Sequence, residues 1–342
     1  MKLSIITINY NNAEGLSKTL ASVAAQTYPN IEHIIVDGGS TDGSVEIIRE
    51  YADNQAKGER LEAKGTENSK ADTPASTLYT LHLTPSAHIV RWISEPDKGI
   101  YNAMNKGIEI ALGKRAVRDD HTSSPLASRL SPLASKEYIQ ILNSGDILAA
   151  NDVTERMMTA LASYSEQCER STGEAELQQS DLPTILYGNM IKVNAQGKVV
   201  GKSEYTEYSL RQFYSSTLNH DCAYIRKDLF EEYGLYDENL KIVSDWKWYL
   251  QVIGLGRVKP EYVDIDVTIF DDGGISEQNL PLRYAERRQV LEELLPPAVL
   301  WDYDTHAFEI EQMNRLRRRK LYPLVYFMER VLFKLEKWGV LR

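Results

Sequence analysis

Apolar residues follow two alternating periods along the first part of the chain. Leu3 to Ile8 and Glu32 to Val36 are short β-branched runs, which are typical of buried strands. Between them, Asn11 to Ala25 places its apolar side chains at helical spacing. A second helix is predicted to end at Tyr51, and the Ser-Thr pair at positions 40 and 41 offers its cap.

The same alternation continues toward the middle of the chain. Further strands are predicted at Ile89–Ile93, Tyr138–Leu142, Thr184–Val193 and Cys222–Ile225. Further helices are predicted at Tyr101–Leu112 and Asp152–Tyr164. Strand–helix alternation of this kind predicts an α/β fold, in which helices flank a mostly parallel sheet and the crossovers are right-handed.

Two stretches interrupt the pattern. Residues 53–88 are rich in Lys, Glu, Ala, Ser and Thr, and residues 115–136 are rich in Ser, Pro and Arg. Neither offers a periodic apolar face, so we expect insertions in surface loops that are tolerated rather than partner-binding. With these insertions, one domain is predicted over 1–280 and a helical C-terminal extension over 281–342.

Composition narrows the class of protein. The 342 residues are 42% hydrophobic and carry a net charge of −10, which argues against a nucleic-acid partner. Two cysteines give neither a disulfide framework nor a zinc cluster. The longest uncharged run, Thr73 to Val90, holds prolines and many hydroxyl residues, so it is not predicted to span a membrane. A cytoplasmic protein is expected.

The charge is unevenly distributed. From Asn314 onward there are nine Lys and Arg against two Asp and Glu, so this end carries +7 and the remainder −17. A basic run at 315–320 precedes an apolar stripe at helical spacing through 335. A helix of this kind over 315–338 could bind the inner face of an anionic cell membrane. Alternatively, it could pack on its own domain or on a second copy of the chain in a homodimer.

Charged and polar motifs follow the predicted strands, where open α/β sheets bind ligands. Asp37-Gly38-Gly39-Ser40 comes directly after the second strand and could hold a nucleoside or form only a turn and cap. Asp97-Lys98 follows the third strand, where Lys98 could face a phosphate. Asn143-Ser144-Gly145-Asp146 follows the fourth, and its carboxylate could bind a divalent cation.

Two further residues are candidates for chemistry. Asp245 opens an aromatic-rich helix, where it is either a helix cap or a general base. His220, some 25 residues upstream, could be a metal ligand, a group that contacts the acceptor, or a structural histidine.

In this order the motifs resemble the family-2 glycosyltransferases with the GT-A fold. The resemblance rests on SVAAQTYPNIEHIIVDGGSTDGS (22–44) and SEPDKGIYNAMNKGI (94–108), and it covers most of 1–112 and 137–275. It implies an inverting transfer of a hexose or N-acetylhexosamine from a nucleoside-diphosphate sugar, with UDP as the expected nucleotide. The implied acceptor is a hydroxyl of a glycan or lipid-linked molecule in bacterial surface polysaccharide synthesis.

The resemblance also implies roles for individual residues. Asp245 matches the catalytic base, and Asp146 matches the second Asp of a DxD motif that binds Mg²⁺ or Mn²⁺. The implied acceptor side consists of His220, Trp246 and Gly274. The implied nucleotide-sugar site consists of Thr7, Asn9, Asp37, Gly38, Ser40, Asp97, Lys98 and Asn143.

One departure from the family pattern matters. Ser144 stands where the first Asp of DxD is usual, so the cation would depend on Asp146, diphosphate oxygens and water. A binding module that has lost catalysis is therefore one alternative. Nucleotidyl transfer is another, but Thr7 to Gly15 lacks the basic residues expected of a triphosphate loop.

Overall fold

The computed structural model describes residues 1–57, 88–115, 137–172, 182–194, 196–203, 205–271 and 279–338. The strands are β1 (Lys2–Asn9), β2 (Ile31–Asp37), β3 (Ile89–Ser94), β4 (Glu137–Ile141), β5 (Ile147–Leu148), β6 (Ile185–Val193), β7 (Val199–Ser203), β8 (Ala223–Arg226) and β9 (Glu261–Asp271). The helices are α1 (Ala13–Ala24), α2 (Ser44–Lys57), α3 (Ile100–Ala111), α4 (Val153–Thr172), α5 (Leu210–Ser215), α6 (Asp228–Glu232), α7 (Ser244–Tyr249), α8 (Leu280–Leu294), α9 (Pro297–Arg317) and α10 (Tyr322–Lys337). A wider π-helical turn, Leu250–Leu255, continues α7.

All nine strands form a single sheet in the order β3-β2-β1-β4-β8-β6-β9-β5, with β7 paired to β6. The first four strands of this order are parallel, and β8 joins β4 and β6 in antiparallel fashion. The β6–β9 pair is again parallel. The predicted α/β class is confirmed: the sheet is mixed and mostly parallel, and helices flank it.

The start of α2 differs from the prediction. Ser40 and Thr41 do not cap it, because Ser40 donates to Asp37 and the backbone N–H of Thr41 donates to Asn11. Asp42 caps the helix instead: its carboxylate accepts from the backbone N–H and the hydroxyl of Ser44 at 3.1 and 2.6 Å. The two residues of the predicted cap therefore bind the β1–α1 and β2–α2 loops to each other.

Three strands were not predicted from the sequence. Among them, β9 places Val263, Ile265 and Val267 at alternate positions, and Val267 is fully buried. Such a period of two is a strand signal. The two-residue strand β5 and the hairpin strand β7 are short and partly exposed, so their patterns are weak.

The chain divides into two compact units, Met1–Glu286 and Arg287–Arg342. In the second unit, Arg288 binds Glu292 and Asp304 at 2.7 and 2.6 Å, which joins α8 to α9. None of the described helices combines the length and the hydropathy that a bilayer crossing requires. The predicted insertions at 53–88 and 115–136 lie almost wholly outside the described residues.

Close packing of α3 on β1 depends on Gly107. A Cβ atom at this position would lie 2.4 Å from Cγ2 of Ile6, which is fully buried. Such a contact forces the helix away from the strand, and α3 carries residues of the site described below.

We predict that Gly107→Ala lowers the free energy of unfolding by about 1–2 kcal/mol, since overpacking outweighs the better helix propensity of alanine. Urea denaturation measures the change. Gly201→Ala is the control, because its Cβ would meet nothing closer than 3.9 Å. Equal stabilities of the two variants would contradict this account of the packing.

Candidate functional site

A cavity of about 770 Å³ lies at the carboxyl ends of the parallel strands. Its wall combines the ends of β1 and β4, the start of α3, and the start of α7. Four carboxylates line it, those of Glu14, Asp97, Asp146 and Asp245, against two lysines. An anionic ligand such as a diphosphate would therefore need added positive charge to bind here.

Asp37 organises the loop after β2 instead of facing this cavity. Its buried carboxylate accepts from Asn9 Nδ2 at 2.8 Å and from the hydroxyls of Ser40 and Ser94 at 2.5 and 2.7 Å. The backbone N–H groups of Gly39 and Ser40 donate to it as well. Burial opposes its ionisation, but these hydrogen bonds outweigh burial and hold the pKa of Asp37 below its ordinary value.

Asp97 lies directly beside the loop that Asp37 holds. A Cβ atom on Gly38 would come within 2.4 Å of Asp97 Oδ2 and 3.0 Å of the Tyr10 ring. Glycine at position 38 permits this close approach, and a larger residue would displace the Asp97 carboxylate or the Tyr10 ring. Asp97 and Tyr10 both line the cavity, and the Tyr10 side chain is 65% exposed.

A chain of hydrogen bonds crosses the floor of the cavity. Tyr101, in the first turn of α3, donates its hydroxyl to Asp245 Oδ1 at 2.8 Å. His220 Nδ1 lies 3.3 Å from Asp245 Oδ2, and its Nε2 lies 3.2 Å from Asn143 Nδ2. The loop after β4, the segment before β8, and helices α3 and α7 are thus joined at one carboxylate.

The charge states of these hydrogen-bonded side chains follow from their surroundings. Burial of the His220 ring opposes its protonation, but the hydrogen bond to Asp245 and the nearby carboxylates outweigh burial and raise the pKa of His220. A protonated His220 needs an acceptor at Nε2, which Asn143 provides when its amide is turned over to exchange oxygen and nitrogen. That orientation would also satisfy Asn143 Oδ1, which is buried without a hydrogen-bond partner as the amide now lies.

Asp245 remains ionised for the same reasons. Burial raises the pKa of its carboxyl, but the hydrogen bond and charge of His220, together with the Tyr101 hydroxyl, hold the pKa below its ordinary value. Burial and the Asp245 carboxylate raise the pKa of Tyr101 well above its ordinary value, so this phenol stays a donor. Asp245 can accept a proton only while its carboxylate is ionised.

The turn that carries Asp146 is held by helix α1. The buried hydroxyl of Thr19 donates to the backbone oxygen of Asp146 at 2.8 Å and accepts from the Gly145 N–H at 2.9 Å. From the loop that begins α1, Asn12 donates its amide to the backbone oxygen of Ser144 at 2.9 Å. Both sides of the turn are therefore fixed by side chains more than a hundred residues earlier in the chain.

Further side chains of α1, and of the residues just after it, hold the backbone that follows Asp146. The Ser22 hydroxyl accepts from the Leu148 N–H at 3.2 Å. Gln26 donates to the Ala150 oxygen at 2.8 Å and accepts from the Thr154 N–H at 3.0 Å. Thr19 and Ser22 lie on one face of α1 and Gln26 follows its C-terminal end, which explains why polar residues recur in this otherwise apolar stretch.

Asp146 fits only one kind of cation site. Among the described residues, no group of three or more His, Cys, Asp or Glu side chains is placed to hold a metal ion. Mg²⁺ is commonly bound through one or two carboxylates, with substrate phosphates and water completing its shell. The acidic wall and the single carboxylate of the Ser144–Asp146 turn therefore fit a cation that arrives with a diphosphate.

The structure does not bring every predicted residue to the cavity. Thr7 is buried and hydrogen-bonds His33 at 2.9 Å, and Trp246 is buried with its Nε1 donating to the Phe213 oxygen. Lys98 is exposed outside the cavity lining. Gly274 lies outside the described residues. Asn9, Asp97, Asn143, Asp146, His220 and Asp245 do line the cavity.

Sequence reasoning missed three residues that shape the site. Tyr101 stands inside the quoted 94–108 stretch, but nothing in that pattern shows which partner its hydroxyl finds. Tyr10 is an exposed aromatic ring at the end of a buried strand, and that contrast was a usable signal. Thr19 was hidden among helical residues, since its partners lie across the fold.

Comparisons with known proteins agree with this geometry. Residues 4–71 match the family model for glycosyl transferase family 2. The chain is 23% identical over 285 residues to a PGL/p-HBAD biosynthesis glycosyltransferase of Mycobacterium bovis, covering 83% of this chain and 82% of that protein. It is 25% identical over 283 residues to an uncharacterized glycosyltransferase of Mycobacterium tuberculosis, covering 82% and 78%.

The fold is also found among solved structures. S. aureus TarS 1–349 in complex with UDP-GlcNAc superposes with a TM-score of 0.53 at 15% identity, covering 87% of this chain and 69% of that one. Fold and relatives together identify the chain as a glycosyltransferase. Residues 4–71 carry the match to glycosyl transferase family 2, and the chain has the GT-A fold.

We predict that Thr19→Val lowers the free energy of unfolding by about 1–3 kcal/mol, because the isosteric methyl leaves a backbone donor and acceptor unpaired. Hydrogen exchange at Gly145 should accelerate, and Thr19→Ser should restore both properties. Chemical denaturation and exchange mass spectrometry measure them. The control is Ser17→Ala, since the exposed Ser17 hydroxyl donates to the Ala13 oxygen within α1 itself. Unchanged exchange at Gly145 in Thr19→Val would show that Thr19 does not hold the turn that carries Asp146.

Proposed function

We propose that the chain is an inverting glycosyltransferase that moves a sugar from a nucleoside-diphosphate sugar to an acceptor hydroxyl, with Asp245 as the base. The observation that carries this proposal is the placement of Asp146 and Asp245 in the wall of one cavity at the carboxyl edge of the sheet. One carboxylate suits a diphosphate with its cation, and the other is oriented by Tyr101 and His220.

The proposed donor is a UDP-hexose or UDP-N-acetylhexosamine. The family match supports a nucleotide-sugar donor. The nucleoside would lie toward Asn9 and Asp97, with Tyr10 offering a ring on which a base can stack. The remaining residues expected at the nucleotide-sugar site would act by holding or flanking the loop after β2. They are Thr7, Asp37, Gly38, Ser40 and Lys98. Asn143 would contact the donor beside the cation.

Mg²⁺ or Mn²⁺ is proposed at Asp146. When bound, such a cation supplies positive charge that offsets the charge on the departing diphosphate. The support is the excess of carboxylates over lysines in the cavity wall, since a diphosphate entering alone would be repelled.

The transfer itself is proposed as a single displacement. The acceptor oxygen forms a bond to the anomeric carbon while the bond from that carbon to the diphosphate oxygen breaks on the opposite face, so the configuration inverts. The acceptor proton passes to a free lone pair of the Asp245 carboxylate. Tyr101 and His220 fix the plane of that carboxylate, and the nucleoside diphosphate leaves.

The proposed acceptor is a hydroxyl of a glycan or a lipid-linked molecule in bacterial surface polysaccharide synthesis. A similar protein is named for PGL/p-HBAD biosynthesis, which supports an acceptor of this broad kind. His220 would contribute to the acceptor side, together with the buried Trp246 next to Asp245 in α7 and with Gly274 in the segment after β9. Catalysis is assigned to 1–280 and not to the extension at 281–342.

The direct test is to incubate the protein with a panel of nucleotide sugars, Mn²⁺ and glycan or lipid-linked hydroxyl acceptors, and to measure the released nucleoside diphosphate and the anomeric configuration of the glycoside formed. We expect release with at least one UDP-sugar and an inverted product. Formation of a nucleoside triphosphate from a nucleotide sugar and added pyrophosphate would indicate nucleotidyl transfer instead, and tight binding without turnover would indicate a binding module.

We predict that Asp245→Asn lowers kcat by about 10²–10⁴-fold, because the amide cannot take the acceptor proton. Calorimetric binding of the nucleotide sugar should be unchanged. Asp152→Asn is the matched control, since Asp152 is exposed and its carboxylate lies as far as 4.0 Å from the Arg156 guanidinium. Transfer by Asp245→Asn at the wild-type rate would remove the residue from the base role.

We predict that Tyr101→Phe shifts the acid limb of the pH profile of kcat/KM to higher pH. The Tyr101 hydrogen bond lowers the pKa of Asp245, so its loss lets burial raise that pKa, and the carboxylate protonates earlier as pH falls. Tyr236→Phe is the control, because this neighbouring buried hydroxyl has no hydrogen-bond partner among the described residues. An unmoved acid limb in Tyr101→Phe would contradict the proposed orientation of the base.

A further inference from the structure

Helix α10 lacks the buried side that a helix packed within a protein shows. None of its residues is buried, and its aromatic side chains are far exposed: Phe327 by 63%, Phe333 by 62%, and Trp338 just beyond its end by 71%. Exposed apolar surface of this extent marks an interaction site.

Most of the exposed apolar residues lie on one side of the helix, with Phe333 on the other. At 100° per residue, nine apolar side chains fill a continuous arc of about 160° without a charged residue. Eight of the nine are exposed. The arc consists of Phe327, Trp338, Val331, Leu324, Leu335, Met328, Leu321, Leu332 and Val325.

Positive charge surrounds this arc. Arg330 and Lys337 lie on the opposite side of α10, Lys334 lies beside Phe327 at one border of the arc, and the exposed residues 317–320, three arginines and a lysine, precede the helix. Glu329 and Glu336 lie together at the other border of the arc. A helix with an apolar side, a basic side and a preceding basic run has the form that binds the interface of an anionic bilayer.

Two other occupants fit less well. The helix has 16 residues, about 24 Å of rise, and no described helix meets the requirement for crossing a bilayer. A second copy of the chain would bring two segments of charge +7 together, and like charges at that density repel each other. An anionic lipid surface complements both the charge and the apolar arc.

We propose that α10 binds the interface of an anionic membrane, with its apolar arc among the acyl chains and residues 317–320 at the headgroups. This proposal is independent of the glycosyl-transfer proposal, since membrane binding and catalysis are measured separately.

The test is sedimentation of the full chain with vesicles of phosphatidylcholine, with or without phosphatidylglycerol. Phe327→Glu and Phe333→Glu are a matched pair: the same residue with nearly equal exposure, inside and outside the apolar arc. Because both add the same charge, their difference isolates apolar burial. We expect Phe327→Glu to bind at least about ten times more weakly than Phe333→Glu.

Replacing Arg317, Arg318 and Arg319 by Gln should weaken binding to the anionic vesicles by about a hundredfold and have little effect on neutral ones. Circular dichroism checks that each variant keeps its helices. Equal binding of Phe327→Glu and Phe333→Glu, or equal wild-type binding to both vesicle types, would overturn the proposal. So would a wild-type dimer in sedimentation velocity that Phe327→Glu dissociates, combined with no vesicle binding.

Discussion

Negative charge crowded at the carboxyl edge of the parallel strands is the constraint on which the site depends. Asp97 and Asp146 follow the parallel strands β3 and β4, and Asp245 lies in the first turn of α7, so that all three line one cavity. The crowding is offset locally, by His220 and the Tyr101 hydroxyl at Asp245 and by backbone N–H groups at Asp37. The excess of carboxylates over lysines in the cavity wall favours a ligand that brings its own cation.

Carboxylates held this close to one another keep their positions only when the backbone that carries them is rigid. Two hydroxyls of α1 and the amide of Gln26 just after it bind backbone groups between Gly145 and Thr154, so the turn bearing Asp146 is fixed before any ligand arrives. Preorganised polar groups need no rearrangement when charge develops, which is the main way a site lowers a barrier. A helix that reads as an ordinary amphipathic element is thus part of the support of the site.

The local patterns predicted most of the parallel half of the sheet, because β-branched runs and helical spacing are decided by neighbouring residues. They failed where the deciding contact is remote. Asp42 and not Ser40 caps α2, because Ser40 is already bonded to Asp37, and no pattern in that loop shows this. Motif order drew attention to Asp146 and Asp245 and missed Tyr101, whose partner lies 144 residues away.

Charge acts differently in the cavity and in the C-terminal segment because solvent screens the two to different degrees. The Asp245 carboxylate is largely buried, with 16% of its side chain exposed, so salt screens its attraction to His220 only weakly. The basic residues at 317–320 are exposed, and a Debye length of about 8 Å at physiological ionic strength limits their reach to a surface nearly in contact. Attraction there can hold the chain at an anionic surface only once the apolar arc of α10 has engaged, so the two features of that helix need each other.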